Sequence, residues 1–180
     1  MDSILISNPP KICRSNVAAV EEGIEVLGAE TKKTLSVHER MALNLFLSTR
    51  GLEMVHEGEK VSTFLRVQKD GQVFHSTEYT RVTARNSFTI KFENPCEHDH
   101  FSYGQVLWYV QRGAFLIAIL KLLRECREPI LTSHMTHSHL PMAIKVELSS
   151  NIIAIDVSSI ERKRVFVNTG VDNKTSYGKG

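Results

Sequence analysis

Apolar positions change their period along this chain. From Asn16 onward, Val17, Val20, Ile24 and Leu27 recur at helical spacing with Glu21, Glu22 and Glu25 between them, and Gly28 stands where a helix would end. Ser36 opens a second helical pattern, with Glu39 completing a capping box; Met41, Ala42, Leu45 and Phe46 form its stripe and Gly51 its stop. Ahead of both, residues 1 to 15 carry Pro9-Pro10 and no periodicity, which predicts a flexible lead-in.

Beyond residue 60 the period shortens to that of strands. Thr63 to Val67 and Gln72 to His75 are β-rich runs around Lys69-Asp70-Gly71, and Asp-Gly is a dipeptide favoured in two-residue hairpin turns. Ser87 to Phe92 alternates, putting Phe88, Ile90 and Phe92 on one face before Asn94-Pro95 closes the strand. Val106 to Val110 is a further run. Phe115 to Leu120 fits a buried strand or a helix, and the short turn Gln111-Arg112-Gly113, which would return the chain antiparallel, favours the strand. Ala143 to Leu148, Ile152 to Asp156 and Arg164 to Asn168 read as three more strands, with one helical turn at Ser158 to Ile160 and a flexible polar tail from Thr169 to Gly180. The predicted fold is α+β: a single domain over residues 16–168, with two N-terminal helices packed on an antiparallel small β-barrel-like sheet.

Composition agrees with one domain, since 180 residues with 42% hydrophobic and 23% charged can bury one core and are few for two. The formal charge of +2 gives no general pull toward nucleic acid or an anionic membrane, which argues against a strongly basic binder. Its distribution adds something. Residues 1–60 hold 7 basic and 9 acidic side chains, and the β-rich remainder holds 15 and 11, so positive charge is concentrated where the strands are. Cys13, Cys96 and Cys126 are widely spaced with no Cys-x-x-Cys, which predicts a reducing, intracellular setting, nuclear or cytoplasmic. No membrane partner is expected: Ile4-Leu5-Ile6 is too short for a secretory signal, and the apolar run from Ala114 stops at Lys121, whereas a spanning helix needs about 20 apolar residues.

Two sets of side chains could carry chemistry. Five histidines fall in His98-Asp99-His100 and His134-Met135-Thr136-His137-Ser138-His139, with Cys96 beside the first group. Cys96, His98, His137 and His139 would make a four-ligand zinc set if the two loops met, and such a centre would suit a metal-dependent hydrolase; the plainer alternative is solvent-facing loop histidines. A nucleophile elbow and a phosphate-binding glycine loop are both missing from the sequence, and beyond zinc no cofactor is implied. The second set is basic, Arg81, Arg85 and Lys91 with Arg162, Lys163 and Arg164 near the end; at Tyr79, Arg81 and Arg85 an aromatic ring could stack a base while arginines meet phosphates. The alternative is a solvated strand edge whose charges deter pairing. A non-catalytic module that contacts protein or nucleic acid is the function expected ahead of the hydrolase.

The run Val73-Phe74-His75-Ser76-Thr77-Glu78-Tyr79-Thr80-Arg81-Val82-Thr83-Ala84-Arg85-Asn86-Ser87-Phe88-Thr89-Ile90, followed by Tyr103-Gly104-Gln105-Val106, resembles a domain of uncharacterised, transposon-associated animal proteins. In that group a Val-x-x-Ile-x-x-Lys segment precedes the last strand, and Val157 to Lys163 matches it. The resemblance spans residues 35–168 and implies origin in a mobile element; it transfers no catalytic residue. The chain departs from the pattern at Val171 to Gly180, where the group has a tyrosine and a Pro-Asn dipeptide. At the level of fold, the order of β-runs is also similar to small barrels of the bromo-adjacent-homology kind.

Overall fold

Phe115-Leu116-Ile117-Ala118-Ile119-Leu120 contains no polar residue because the strand it forms is covered on both faces. In the computed structural model, which describes residues 23–80, 88–94, 101–125 and 146–164, Leu116, Ala118 and Leu120 enter one core and Ile117 and Ile119 the other. The described elements are β1 (Ile24–Leu27), β2 (Thr31–Thr34), α1 (Val37–Thr49), β3 (Lys60–Phe64), β4 (Arg66–Lys69), β5 (Gln72–His75), β6 (Thr89–Glu93), β7 (Phe101–Arg112), β8 (Phe115–Glu125), β9 (Val146–Asp156) and β10 (Ile160–Lys163). A single 3-10 turn, Val157–Ser159, joins the last two strands, close to the helical turn predicted there.

All pairings are antiparallel. A three-stranded sheet runs β1-β4-β5, and a seven-stranded sheet is built around β7. One edge of β7 carries β8, which in turn carries β9; the other edge is shared, with β6 along residues 101–105 and β3 at Tyr109 and Val110. The small sheet packs on one face of the large one through Ile24, Val67 and Phe74, which meet Phe92, Val106, Tyr109 and Leu120. Helix α1 covers the opposite face, with Leu43, Phe46 and Leu47 against Val110, Ile117 and Ile119. Three layers result.

This architecture corrects the expected α+β fold. Only one helix occurs among the described residues. Residues 16–22 of the other predicted helix lie outside them, and its remainder, Ile24 to Leu27, is strand β1. There Ile24 is buried and Glu25 exposed, and the chain pairs with β4 from Ile24↔Lys69 to Leu27↔Arg66, so strand hydrogen bonds and β-branched residues override the helical spacing. No closed barrel forms among the described residues either: β2, β9 and β10 end the branches of the large sheet and do not pair with one another. In α1 the capping box is present, with the Glu39 N–H donating to Ser36 Oγ at 3.4 Å and the Ser36 N–H to Glu39 Oε2 at 2.7 Å. The buried stripe is displaced from the predicted one: Ala42, Leu43, Phe46 and Leu47 face the sheet, while Met41 and Leu45 are exposed. The Asp-Gly hairpin forms as predicted, with Asp70 at φ 50° and Gly71 at φ 74° between β4 and β5. Phe115 to Leu120 is a strand, and the two predicted strands from Ala143 and Ile152 are one, β9, as far as they are described. The last predicted strand lies outside the described residues except for Arg164, whose N–H donates to the Thr89 carbonyl. No helix among the described residues is long and apolar enough to cross a membrane.

Candidate functional site

The Asp-Gly turn fixes the register of the β4–β5 hairpin and thereby creates the site. Val67 lies opposite Phe74, and both point into the core. One step along, Arg66 lies opposite His75, so these two side chains share the outer face. After β5 the chain turns: the Ser76 N–H donates to the Leu65 carbonyl, the Thr77 N–H to the Val106 carbonyl, and the Tyr79 N–H back to the Ser76 carbonyl. That turn carries the Tyr79 ring onto His75, with centroids 4.7 Å apart and planes 14° from parallel. The Arg66 guanidinium stands over the same tyrosine ring at 4.8 Å. Gly28 lies beside the Arg66 guanidinium, and its φ of +97° is a conformation that favours glycine. Lys163 arrives from β10, with Nζ 5.4 Å from the Phe74 ring centre.

Several cations of the molecule are paired with carboxylates: Lys33 with Glu39, Arg40 with Glu57, Lys91 with Glu161 and Arg112 with Glu59. Among the described residues no carboxylate pairs with Arg66 or Lys163. Burial pushes the His75 imidazole below its ordinary range, and the positive charges of Lys163 and Arg66 push it the same way. Burial also lowers Lys163. Arg66 and His75 therefore meet a tyrosine ring at a half-buried place, with the positive charge of Lys163 acting on His75, an environment complementary to an anion carrying a planar group.

Of the residues predicted from sequence, Tyr79 lies at the centre of this cluster. Arg81 and Arg85 lie outside the described residues, as do all four candidate zinc ligands, Cys96, His98, His137 and His139. Lys163 belongs to the basic run Arg162-Lys163-Arg164 that the sequence marks, whereas Arg66 and His75 are not singled out by sequence. Arg66 and His75 were within reach, because a two-residue turn at Asp70-Gly71 dictates 69↔72 and hence 66↔75. The approach of Lys163 to this hairpin had no local signal, because it enters through the β10–β6 pairing, Lys163↔Ile90, across a long stretch of chain.

A second polar centre is internal. Glu39, 6% exposed, accepts from Trp108 Nε1 at 2.7 Å and lies 3.5 Å from Lys33 Nζ, which itself stands 3.2 Å above the Trp108 ring. Burial raises the Glu39 carboxyl, but the Ser36 N–H and hydroxyl, Lys33 and Trp108 together hold it below its ordinary range. With its oxygens engaged by protein groups, Glu39 fastens α1 to β7. Comparison with family models, curated proteins and solved structures finds no match to this chain.

Proposed function

We propose that this domain is a non-catalytic interaction module that contacts single-stranded nucleic acid through Arg66, His75, Tyr79 and Lys163. Support comes from one observation above all: the Arg66 guanidinium stands over a Tyr79–His75 stack, and neither Arg66 nor Lys163, whose charge acts on His75, has a described carboxylate partner. An unpaired base can extend such a stack, and its phosphates can neutralise the cations. The small number of cations suits a short footprint and is compatible with the near-neutral charge of the whole chain. Origin in a mobile element, which the resemblance of Val73 to Ile90 and Tyr103 to Val106 implies, is part of the same reading.

The test is fluorescence anisotropy with a labelled thymidine oligonucleotide over a series of salt concentrations. Affinity is expected to fall with salt. Arg66→Ala and Lys163→Ala should each reduce the slope of log K against log salt by about 0.7. Tyr79→Ala should lose about 1–3 kcal/mol of binding with the slope kept. Salt-insensitive binding, or affinities unchanged in all three variants, would overturn the reading.

A further inference from the structure

The small sheet sets one ionisable ring among fixed charges. Strand β1 pairs Leu27 with Arg66, and Arg66 is in turn opposite His75, so the three lie in a row on the outer face. Directly opposed residues of antiparallel strands have Cβ atoms about 4.5–5.5 Å apart. A charge on His75 would therefore stand beside a guanidinium that cannot give up its own. In the next row Glu25, Gln68 and Val73 share this face, and Gln68 separates Glu25 from β5. Lys69 belongs to the opposite face, where its ammonium donates to the carbonyls of Ser158 and Ile160. The turn after β5 brings Tyr79 onto the His75 ring, with Glu78 before it in the chain. Lys163 of β10 adds a further positive charge that acts on His75. Among the described residues no ion pair joins Glu25 or Glu78 to Arg66 or Lys163.

Histidine is the side chain whose ordinary titration falls near neutrality. Burial, with the charges of Lys163 and Arg66, favours the neutral ring of His75. A phosphate diester held at Arg66 acts in the opposite direction, because a negative charge within about 4–6 Å favours the imidazolium. Protonation also makes both ring nitrogens donors, and a donor that carries charge bonds a phosphate oxygen more strongly. The Tyr79 ring accommodates either form, since an aromatic face stacks on a neutral ring and attracts a cation.

We propose, resting on the reading of this cluster as a single-strand site, that ligand and proton bind together: His75 becomes charged as a phosphate settles beside Arg66. The coupling is reciprocal. Affinity is lowest at a pH where His75 stays neutral even in the complex. It rises as pH falls through the titration of His75 in the complex and levels off below the titration of His75 in the protein alone.

Isothermal titration calorimetry of the full chain with an unlabelled thymidine oligonucleotide that has no terminal phosphate tests this, because neither thymine nor a phosphate diester titrates near neutrality. Heats in two buffers of different ionisation enthalpy should show net proton uptake. Affinity should rise about threefold to tenfold between about pH 8 and about pH 6. His75→Phe and His75→Gln, checked for folding by circular dichroism, should lose that uptake and that rise. In nuclear magnetic resonance, the His75 ring-proton signal, identified by its absence from either variant, should titrate at higher pH with the oligonucleotide than without it. Binding that leaves this titration unmoved or lowers it, or undiminished proton uptake in both variants, would overturn the proposal and leave the single-strand reading standing. Failure of the native chain to bind at any pH would overturn both.

Discussion

Glu39 and His75 are both titratable groups partly withdrawn from water, and the fold treats them in opposite ways. Glu39 is held as a carboxylate by Ser36, Lys33 and Trp108, so its folded value lies below the ordinary 4.5. Its contribution to stability is present above about 4.5 and is lost as pH falls through the folded value. His75 is held as a neutral imidazole, below the ordinary 6.5. There the unfolded chain takes up the proton first, so this contribution is present above about 6.5 and is lost as pH falls from there through the folded value. Acid destabilisation should therefore come in two stages, read as the thermal midpoint against pH. His75→Phe, which retains a ring against Tyr79, should abolish the upper stage and leave the lower one in place. At this scale legibility was uneven. The Ser36–Glu39 capping box is local and was plain in the sequence; Trp108, 69 residues from Glu39, gave no local sign of being its partner.

Elements were legible where one period ruled and misread where two coexisted. The hairpin at Asp70-Gly71 and the strand from Phe115 were evident because turn chemistry and a β-rich run agreed. Ile24 to Leu27 satisfied a helical spacing and a strand alternation together, and only pairing with β4 decides between them. The stripe of α1 was placed too far around the helix because Met41 and Leu45 are as apolar as the residues that are buried. Gly104 is the sharpest constraint within an element. It sits in β7 opposite Leu122 and Ile90, and a Cβ there would stand 3.3 Å from the Lys121 carbonyl and 3.4 Å from both Leu120 and Phe92. Gly104→Ala should destabilise by about 1–3 kcal/mol, measured by urea denaturation, whereas Gly58→Ala meets open space and is opposed by its positive φ alone.

For the molecule as a whole, β8 is the shared wall of two cores, so neither can form without it. Ile119→Ala, on the helix side, should cost about 2–5 kcal/mol. Fluorescence of Trp108, the sole tryptophan, and far-ultraviolet circular dichroism should then lose their signals in one coincident transition; separated midpoints would show that the layers melt independently. The three-layer arrangement itself was out of reach of sequence, because an all-apolar strand says that both faces are covered without saying by what. The divided edge of β7 has one more consequence. Where β6 ends and β3 has not begun, the Val106 N–H donates to the Phe88 carbonyl and the Val106 carbonyl accepts from the Thr77 N–H. The turn that bears Tyr79 is thus moored to the central strand, and the Thr77 amide should exchange with deuterium at a rate set by opening of the sheet and not by fraying of a surface loop.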